Sequence, residues 1–143
     1  MKRTLTYLLL PLMLLGFTCC GGQRAAEAQF GAADAVLESA PDSALQLLRA
    51  IDTATFRTER QRMRWRLLTA RAQLLSDEER LDEAFTAPLY AYYESHGPKE
   101  QQAVAAYIHA KACQDAGKLD EAVKAYTLSL IHISEPTRRV VIS

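Results

Sequence analysis

Apolar residues recur at every third or fourth position through most of residues 25–127, and short segments with glycine, proline or polar residues interrupt the pattern. This spacing places apolar side chains along one face of an α-helix. Alanine is abundant in this part of the chain, whereas valine and isoleucine are scarce before residue 128. That composition also favours helix over strand. The sequence therefore predicts an all-α fold without strands.

Six helical segments follow from the pattern and its interruptions. They cover residues 25–38, 43–51, 56–75, 81–95, 99–116 and 119–127. Pro41 is expected to begin the second helix, and Gly97 and Gly117 are expected to end the fourth and the fifth. Pro88 is expected to kink or split the fourth helix. The short turns predict three antiparallel helix pairs.

The most specific repeat pattern lies between residues 110 and 126. It consists of two small residues, one glycine and one aromatic residue at fixed spacing: Ala110, Gly117, Ala122 and Tyr126. This pattern resembles the tetratricopeptide repeat family. In that family the two small residues lie where helices cross, the glycine ends the first helix, and the aromatic residue fills the gap to the next repeat. We expect Val123 to face inward beside Ala122 and Tyr126.

The resemblance implies a fold and a kind of partner for residues 29–127. The helix pairs would stack as a tetratricopeptide-like α-solenoid, truncated at its carboxyl end, in which each pair buries its outer face on a neighbour. A groove along such a stack would hold another protein or a peptide.

The amino terminus has the features of an export signal over residues 1–19. Lys2 and Arg3 precede an apolar segment at residues 5–17. This segment is shorter than the roughly 20 apolar residues that a transmembrane helix needs, and its length and flanks are typical of a signal peptide. An ordinary signal peptide and an uncleaved anchor remain alternatives to the lipoprotein signal described next.

The segment Gly16-Phe-Thr-Cys-Cys-Gly-Gly22 resembles a bacterial lipobox. The resemblance implies that a cysteine thiol accepts a diacylglycerol. The residues before this cysteine would then be removed by cleavage. Cys20 is the expected site, with Cys19 as the alternative, and residues 20–28 would form a short tether. The chain as a whole resembles Bacteroidetes-type lipoproteins, which implies a lipid-anchored protein of the cell envelope, at the periplasmic face or in the outer membrane.

Residues 128–143 differ in character from the preceding sequence. The string Leu128-Ser-Leu-Ile-His-Ile-Ser-Glu-Pro-Thr-Arg138 is similar to the translation of a transposase adapter used in sequencing libraries. We therefore expect a non-native tail, and a native protein that continues differently. Pro136 is expected to stop any helix, and Ile131 and Ile133 are expected to pack badly.

An arginine-rich run surrounds Trp65 and supplies candidate partner-binding residues. The run comprises Arg57, Arg60, Arg62, Arg64, Arg66 and Arg71. It is either a solvated helix face or a surface for phosphates or an acidic peptide. Arg60 and Arg64, with Tyr107 on a later helix, are the candidates. The chain carries 17 Lys and Arg against 17 Asp and Glu, so no nucleic-acid partner is expected.

Catalytic and metal-binding patterns are weak in this sequence. His109 and Cys113 are four residues apart, so one metal ion could contact both, but packing in the core or groove is the favoured interpretation. The adjacent acids Asp82 with Glu83, and Asp120 with Glu121, point to different sides of a helix and make poor acid–base pairs. We expect no catalytic residues, no metal and no cofactor.

Three functions are compatible with these observations. The favoured one is a non-enzymatic, lipid-anchored scaffold that binds a protein or peptide, with the membrane contacted through the amino-terminal lipid. The alternative is a periplasmic sensor or input domain of a membrane signalling protein. A third is an enzyme whose site lies in a segment beyond residue 127.

Overall fold

The computed structural model describes residues 21–76 and 80–140. In this part of the chain all regular elements are helices, joined by short turns, and there are no strands. The six helices are α1 Gly21–Val36, α2 Pro41–Arg49, α3 Glu59–Ser76, α4 Glu83–Tyr93, α5 Lys99–Asp115 and α6 Leu119–Val140, with a 3₁₀ turn at Thr53–Thr55. The predicted all-α class is confirmed for these residues. Cys19, Cys20 and the predicted signal peptide lie outside them.

Each helix packs against the next one along the chain, from α1 to α6. In addition, α1 contacts α3, and α3 contacts α5. The odd-numbered helices therefore lie side by side, and α3 occupies the middle of the fold with four helices around it.

Helix α3 joins two apolar clusters. The amino-terminal cluster contains Ala26, Phe30, Ala33, Leu37, Ala44, Leu45, Leu48, Ile51, Phe56, Leu68 and Ala72. The carboxyl-terminal cluster contains Met63, Leu67, Ala70, Leu81, Leu89, Tyr93, Ala105, Ile108 and Ala112. Since α3 contributes to both, the two clusters lie against opposite flanks of one helix.

A row of aromatic side chains crosses from the first cluster towards the second. Phe30 lies 5.7 Å from Phe56, Phe56 lies 6.3 Å from Trp65, and Trp65 lies 5.9 Å from Phe85, all measured between ring centroids. The indole nitrogen of Trp65 donates a hydrogen bond of 3.0 Å to the Leu48 carbonyl at the end of α2. Aromatic pairs at these distances add to the stability that burial provides.

Two glycines reverse the chain where the sequence predicted helix ends. Gly97 has φ of 81° and Gly117 has φ of 79°, a left-handed conformation that glycine adopts without steric cost. After α5 the amide of Gly117 donates to the Gln114 carbonyl at 3.0 Å, and the amide of Lys118 donates to the Cys113 carbonyl at 2.8 Å. This pair of bonds is the Schellman motif, and it brings the start of α6 back along α5.

The residues of the repeat pattern lie where helices α5 and α6 meet, with one correction. Ala110 and Ala122 are buried, and the Tyr126 hydroxyl donates to Gln114 at 2.9 Å. Val123, which we expected to face inward, is 63% exposed, and Ala125 is buried instead. The reason is helical rotation: positions 122, 125 and 129 share the face towards α5, and position 123 points away from it.

Helix boundaries differ from the prediction at both ends of the described chain. α1 begins at Gly21, so the predicted tether at 20–28 is helical from that residue onward, and Ala26 is buried in the amino-terminal cluster. α6 continues through Pro136 to Val140, so the expected stop at Pro136 is wrong. A proline removes one helical hydrogen bond, but a helix can continue through it, and α4 likewise continues through Pro88 rather than splitting there.

The first part of the suspected tail packs only in part. Ser129 is buried and donates to the Ala103 carbonyl at 2.9 Å, whereas Leu130, Ile131 and Ile133 are exposed. Within the described residues, no helix combines the length and apolar character that crossing a bilayer requires.

The two adjacent leucines of α2 give a test of this packing. Leu48 has no exposed surface and Leu47 is 44% exposed. We expect Leu48→Ala to lower the free energy of unfolding by about 3 kcal/mol, because it leaves a cavity in the amino-terminal cluster. Leu47→Ala should lower it by less than about 1 kcal/mol. Urea unfolding followed by circular dichroism measures both, and equal losses would contradict this packing.

Candidate functional site

The odd-numbered helices enclose a groove of about 390 Å³. We call it the α1–α3–α5 groove. Its lining comprises Asp34 of α1, Arg60, Arg64, Leu67, Leu68 and Arg71 of α3, Tyr93 of α4, and Glu100, Gln101 and Val104 of α5. Leucine and valine side chains thus lie beside charged and amide groups, a combination that can hold both the apolar and the polar parts of a ligand.

The sequence of α3 explains which of its side chains reach the groove. Residues 60, 64, 67, 68 and 71 are spaced by three or four positions, so they form one stripe along the helix. Arg66 lies off this stripe, donates to the Phe85 carbonyl at 2.8 Å and covers the Phe85 ring at 4.9 Å. The arginine-rich run is therefore not a single basic surface, because only Arg60, Arg64 and Arg71 of the run line the groove.

Acidic residues of α1, or just beyond its end, face two of the groove arginines. Arg64 forms an ion pair with Glu27 and lies over the Phe30 ring at 5.5 Å. Arg71 forms ion pairs with Glu38 at 2.8 Å and with Asp34 at 3.6 Å. The acids are spaced at 27, 34 and 38, which matches the stripe on α3, so the two helices present complementary charges.

Arg60 differs from these two arginines. It is exposed, and no hydrogen bond or ion pair joins it to another residue of the described chain. It lines the α1–α3–α5 groove and also a neighbouring depression of about 580 Å³, whose other lining residues are Arg24, Glu27, Thr58 and Gln61. Of the three arginines that line the groove, Arg60 is thus the one without an acidic partner among the described residues.

Tyr107 lies in an adjoining hollow rather than in the groove. This hollow of about 300 Å³ is lined by Glu100, Ala103, Val104, Tyr107, Ser129, His132 and Ile133. Tyr107 is 44% exposed and packs edge to face against Tyr126 at 5.7 Å. The structure brings Arg60 and Arg64 to one groove and places Tyr107 in a separate hollow, and Glu100 and Val104 line both spaces.

Asp34, Glu100 and Gln101 line the groove and were not predicted from the sequence. The spacing of acids on α1 was a usable signal, because it repeats the spacing of the arginines on α3. No such signal exists for Glu100 and Gln101, since their position depends on how α5 packs beside α3. Tyr93 of α4 is buried and also lines the groove.

The pair His109 and Cys113 lies away from the groove residues, in the interior. Both are buried, and the His109 ring stacks on Tyr90 with 4.9 Å between centroids.

No protein-family model matches the chain, and neither a curated protein nor a solved structure matches it. The groove and the sequence motifs are therefore the features from which a function can be inferred.

The ion pairs of Arg71 are expected to contribute little to stability. Exposed pairs are screened by solvent, so Arg71→Gln should lower the free energy of unfolding by about 1 kcal/mol or less, and this difference should shrink at high salt. Arg62→Gln on the same helix is the control, since Arg62 does not line the groove. Urea unfolding at low and high salt measures the effect. A loss well above about 1 kcal/mol would contradict weak ion pairs, and a loss that salt does not change would show that Arg71 acts through packing rather than through charge.

Proposed function

We propose that this protein is an exported, lipid-anchored helical-repeat scaffold that binds an extended segment of another protein. The observation that carries the proposal is the groove that α1, α3 and α5 line together. Its lining comes from residues 34–104, so the proposal does not depend on residues 128–143.

Three features support a tetratricopeptide-like arrangement of the helices. Consecutive helices pack on each other, the odd-numbered helices lie side by side, and the residues of the repeat pattern at 110, 117 and 122 combine buried alanines with a left-handed glycine. Stacked helix pairs of this kind generate extended concave surfaces for partner chains.

The chemistry of the groove favours a peptide with both apolar and acidic side chains. Leu67, Leu68 and Val104 supply apolar surface, and Gln101 supplies an amide, which can form hydrogen bonds with a peptide backbone. Arg60 can pair with a carboxylate of the ligand, because no acid of the described chain occupies it. A guanidinium group binds carboxylates in a bidentate manner, which adds specificity to charge.

Arg60 and Arg62 provide a matched test of this proposal. Both are exposed arginines of α3, and of the two only Arg60 lines the groove. Affinity capture from envelope extracts with the unaltered protein and with Arg62→Ala should recover the same partner. Arg60→Ala should lose it, or bind it about tenfold more weakly, as expected for loss of a charged hydrogen bond. Quantitative mass spectrometry and titration with peptides of the captured protein measure the difference.

Capture that is equal for all three proteins, or no specific capture by the unaltered protein, would contradict peptide binding in the groove. A variant at Gln101, Gln101→Ala, adds a second position on α5. It should weaken the same peptides, and unchanged binding there would place the ligand elsewhere.

The lipid anchor is proposed from the motif at residues 16–22 alone. When the chain is produced in a bacterium with labelled palmitate, we expect label on the unaltered protein and on Cys19→Ser, and none on Cys20→Ser. The thioether requires the thiol, and one acylated residue with several chains is enough for stable anchoring. Loss of label only in Cys19→Ser would move the site by one residue, and absence of label in every case would contradict an anchor.

A further inference from the structure

A depression between the starts of α1 and α3 carries two arginines without acidic partners. Its volume is about 580 Å³, and it is lined by Arg24 and Glu27 of α1 and by Thr58, Arg60 and Gln61 at the start of α3. We call it the α1–α3 depression. Arg24 and Arg60 are exposed, and no hydrogen bond or ion pair joins either of them to another residue of the described chain. The acid of this lining, Glu27, is paired with an arginine of the groove, so the depression keeps a positive charge.

The side chain of Gln61 presents an amide donor to this depression. It is 5% exposed, and its Oε1 atom accepts from the backbone amides of Arg57 at 3.0 Å and of Thr58 at 3.3 Å. In return, the Thr58 Oγ1 atom accepts from the Gln61 backbone amide at 3.2 Å, which completes a capping box. Because Oε1 is held on the backbone, Nε2 is the free end of the side chain, and it has no hydrogen-bond partner among the described residues. A mostly buried donor that lacks an acceptor is costly, and an anion in the depression supplies one.

The start of α3 adds to the positive potential of the depression. This helix runs for 18 residues from Glu59, and its peptide dipoles place partial positive charge at this end. Glu59 itself is exposed and does not line the depression. Backbone amides of a first helical turn and guanidinium groups are both common ligands of phosphate. The α1–α3 depression therefore combines several kinds of donor for one anion.

The position of the depression in the chain indicates which anion reaches it. α1 begins at Gly21, directly after Cys20, and the choice of anion rests on the proposed acylation of that cysteine. One peptide link spans about 3.8 Å between Cα atoms, and three helical residues span about 5 Å. The Cα atom of Arg24 therefore lies within roughly 9 Å of the Cα atom of Cys20. Since the headgroup layer on each side of a bilayer is about 5–7 Å thick, Arg24 lies at the level of the lipid phosphates.

We propose that the α1–α3 depression binds the phosphate of an anionic lipid headgroup of the phosphatidylglycerol type. The guanidinium group of Arg24 and the Nε2 group of Gln61 donate hydrogen bonds to the phosphate oxygens. Arg60 lines the side of the depression that it shares with the α1–α3–α5 groove. A lipid held here fixes the start of α1 against the membrane surface, so the anchor and the headgroup site together set how the protein is oriented on the bilayer.

Vesicle binding of the full chain without acyl groups tests this site. The chain carries Cys19→Ser and Cys20→Ser, so that binding reports contacts other than the lipid anchor. Flotation compares vesicles of phosphatidylglycerol mixed with phosphatidylcholine against vesicles of phosphatidylcholine alone. We expect tighter binding to the anionic vesicles. Residues 1–18 are the same in every variant, so a difference between variants comes from the substituted position.

Two matched pairs of variants give the expected result. Arg24→Gln should weaken binding to anionic vesicles about fivefold, as expected for one arginine near such a surface. Arg62→Gln removes the same charge from an exposed position outside the depression and should change binding by less than about twofold. Gln61→Glu keeps an oxygen for the capping box and replaces the donor by a negative charge, so it should weaken binding at least as much as Arg24→Gln. Gln46→Glu, at an exposed position of α2, is its control.

The proposal is overturned if Arg24→Gln binds anionic vesicles as tightly as Arg62→Gln, or if Gln61→Glu binds them as tightly as Gln46→Glu. A second arm adds inorganic phosphate at the molar concentration of the lipid headgroups. It should leave vesicle binding unchanged, because headgroups gathered on one surface act at a higher effective concentration. Displacement of the protein by this phosphate would assign the depression to free phosphate and overturn the lipid as its ligand.

Failure of this site is distinguishable from failure of the proposed function. Neither Arg24 nor Gln61 lines the α1–α3–α5 groove, so capture of a peptide partner does not depend on them, and palmitate labelling reports the anchor separately. Circular dichroism of each variant verifies that the helices are intact. Because Arg24 is exposed, its variant gives a clear result even where Gln61→Glu disturbs the start of α3.

Discussion

The burial of α3 on two flanks is the constraint on which the rest of this fold depends. Leu68 and Ala72 pack into the amino-terminal cluster, and Met63, Leu67 and Ala70 pack into the carboxyl-terminal cluster. The helices before and after α3 are thus joined through it. Since apolar burial is the main favourable term in folding, the position of α3 sets the positions of α1 and α5. A helix with two opposite buried flanks keeps two stripes for other contacts. In α3 one stripe carries the groove arginines, and the other carries Arg62 and Arg66, of which Arg66 contacts Phe85.

Two leucines show how the groove and the core share one helix. Leu67 and Leu68 belong to different clusters, yet both line the α1–α3–α5 groove. They lie at the borders between the buried flanks of α3 and the stripe of α3 that lines the groove. The apolar part of the groove is therefore the edge of the two cores, and a ligand that covers it extends the same hydrophobic contact that holds the helices together.

The sequence patterns correctly predicted those features of the fold that depend on neighbouring residues in the chain. The helical class, the turns at Gly97 and Gly117 and the burial of Ala110 and Ala122 follow from residue spacing and from the conformations that glycine permits.

The predictions were wrong or incomplete where packing against a distant helix decides which residues are buried or brought together. Val123 and Ala125 are both compatible with a buried face, and only the rotation of α6 against α5 distinguishes them. Likewise, Glu83 and Glu121 lie far apart in sequence, and only the packing of α4, α5 and α6 brings their carboxylates within 4.8 Å of the Cys113 sulfur. Arg60 and Arg64 line the groove because they share a stripe of α3, whereas Glu100 and Gln101 reach it only through tertiary packing.

The ion pairs between α1 and α3 leave the groove open to ligands. Phe30 and Leu37 anchor α1 by full burial, which contributes several times more than an exposed ion pair of about 1 kcal/mol or less. Arg64 and Arg71 can therefore exchange Glu27 and Glu38 for a carboxylate of a bound peptide while α1 stays in place. Arg60 needs no such exchange. If the groove binds a peptide as proposed, Arg60 is the available partner for an acid, and Arg64 and Arg71 can follow along α3. This arrangement along one helix favours an extended acidic segment over a compact one.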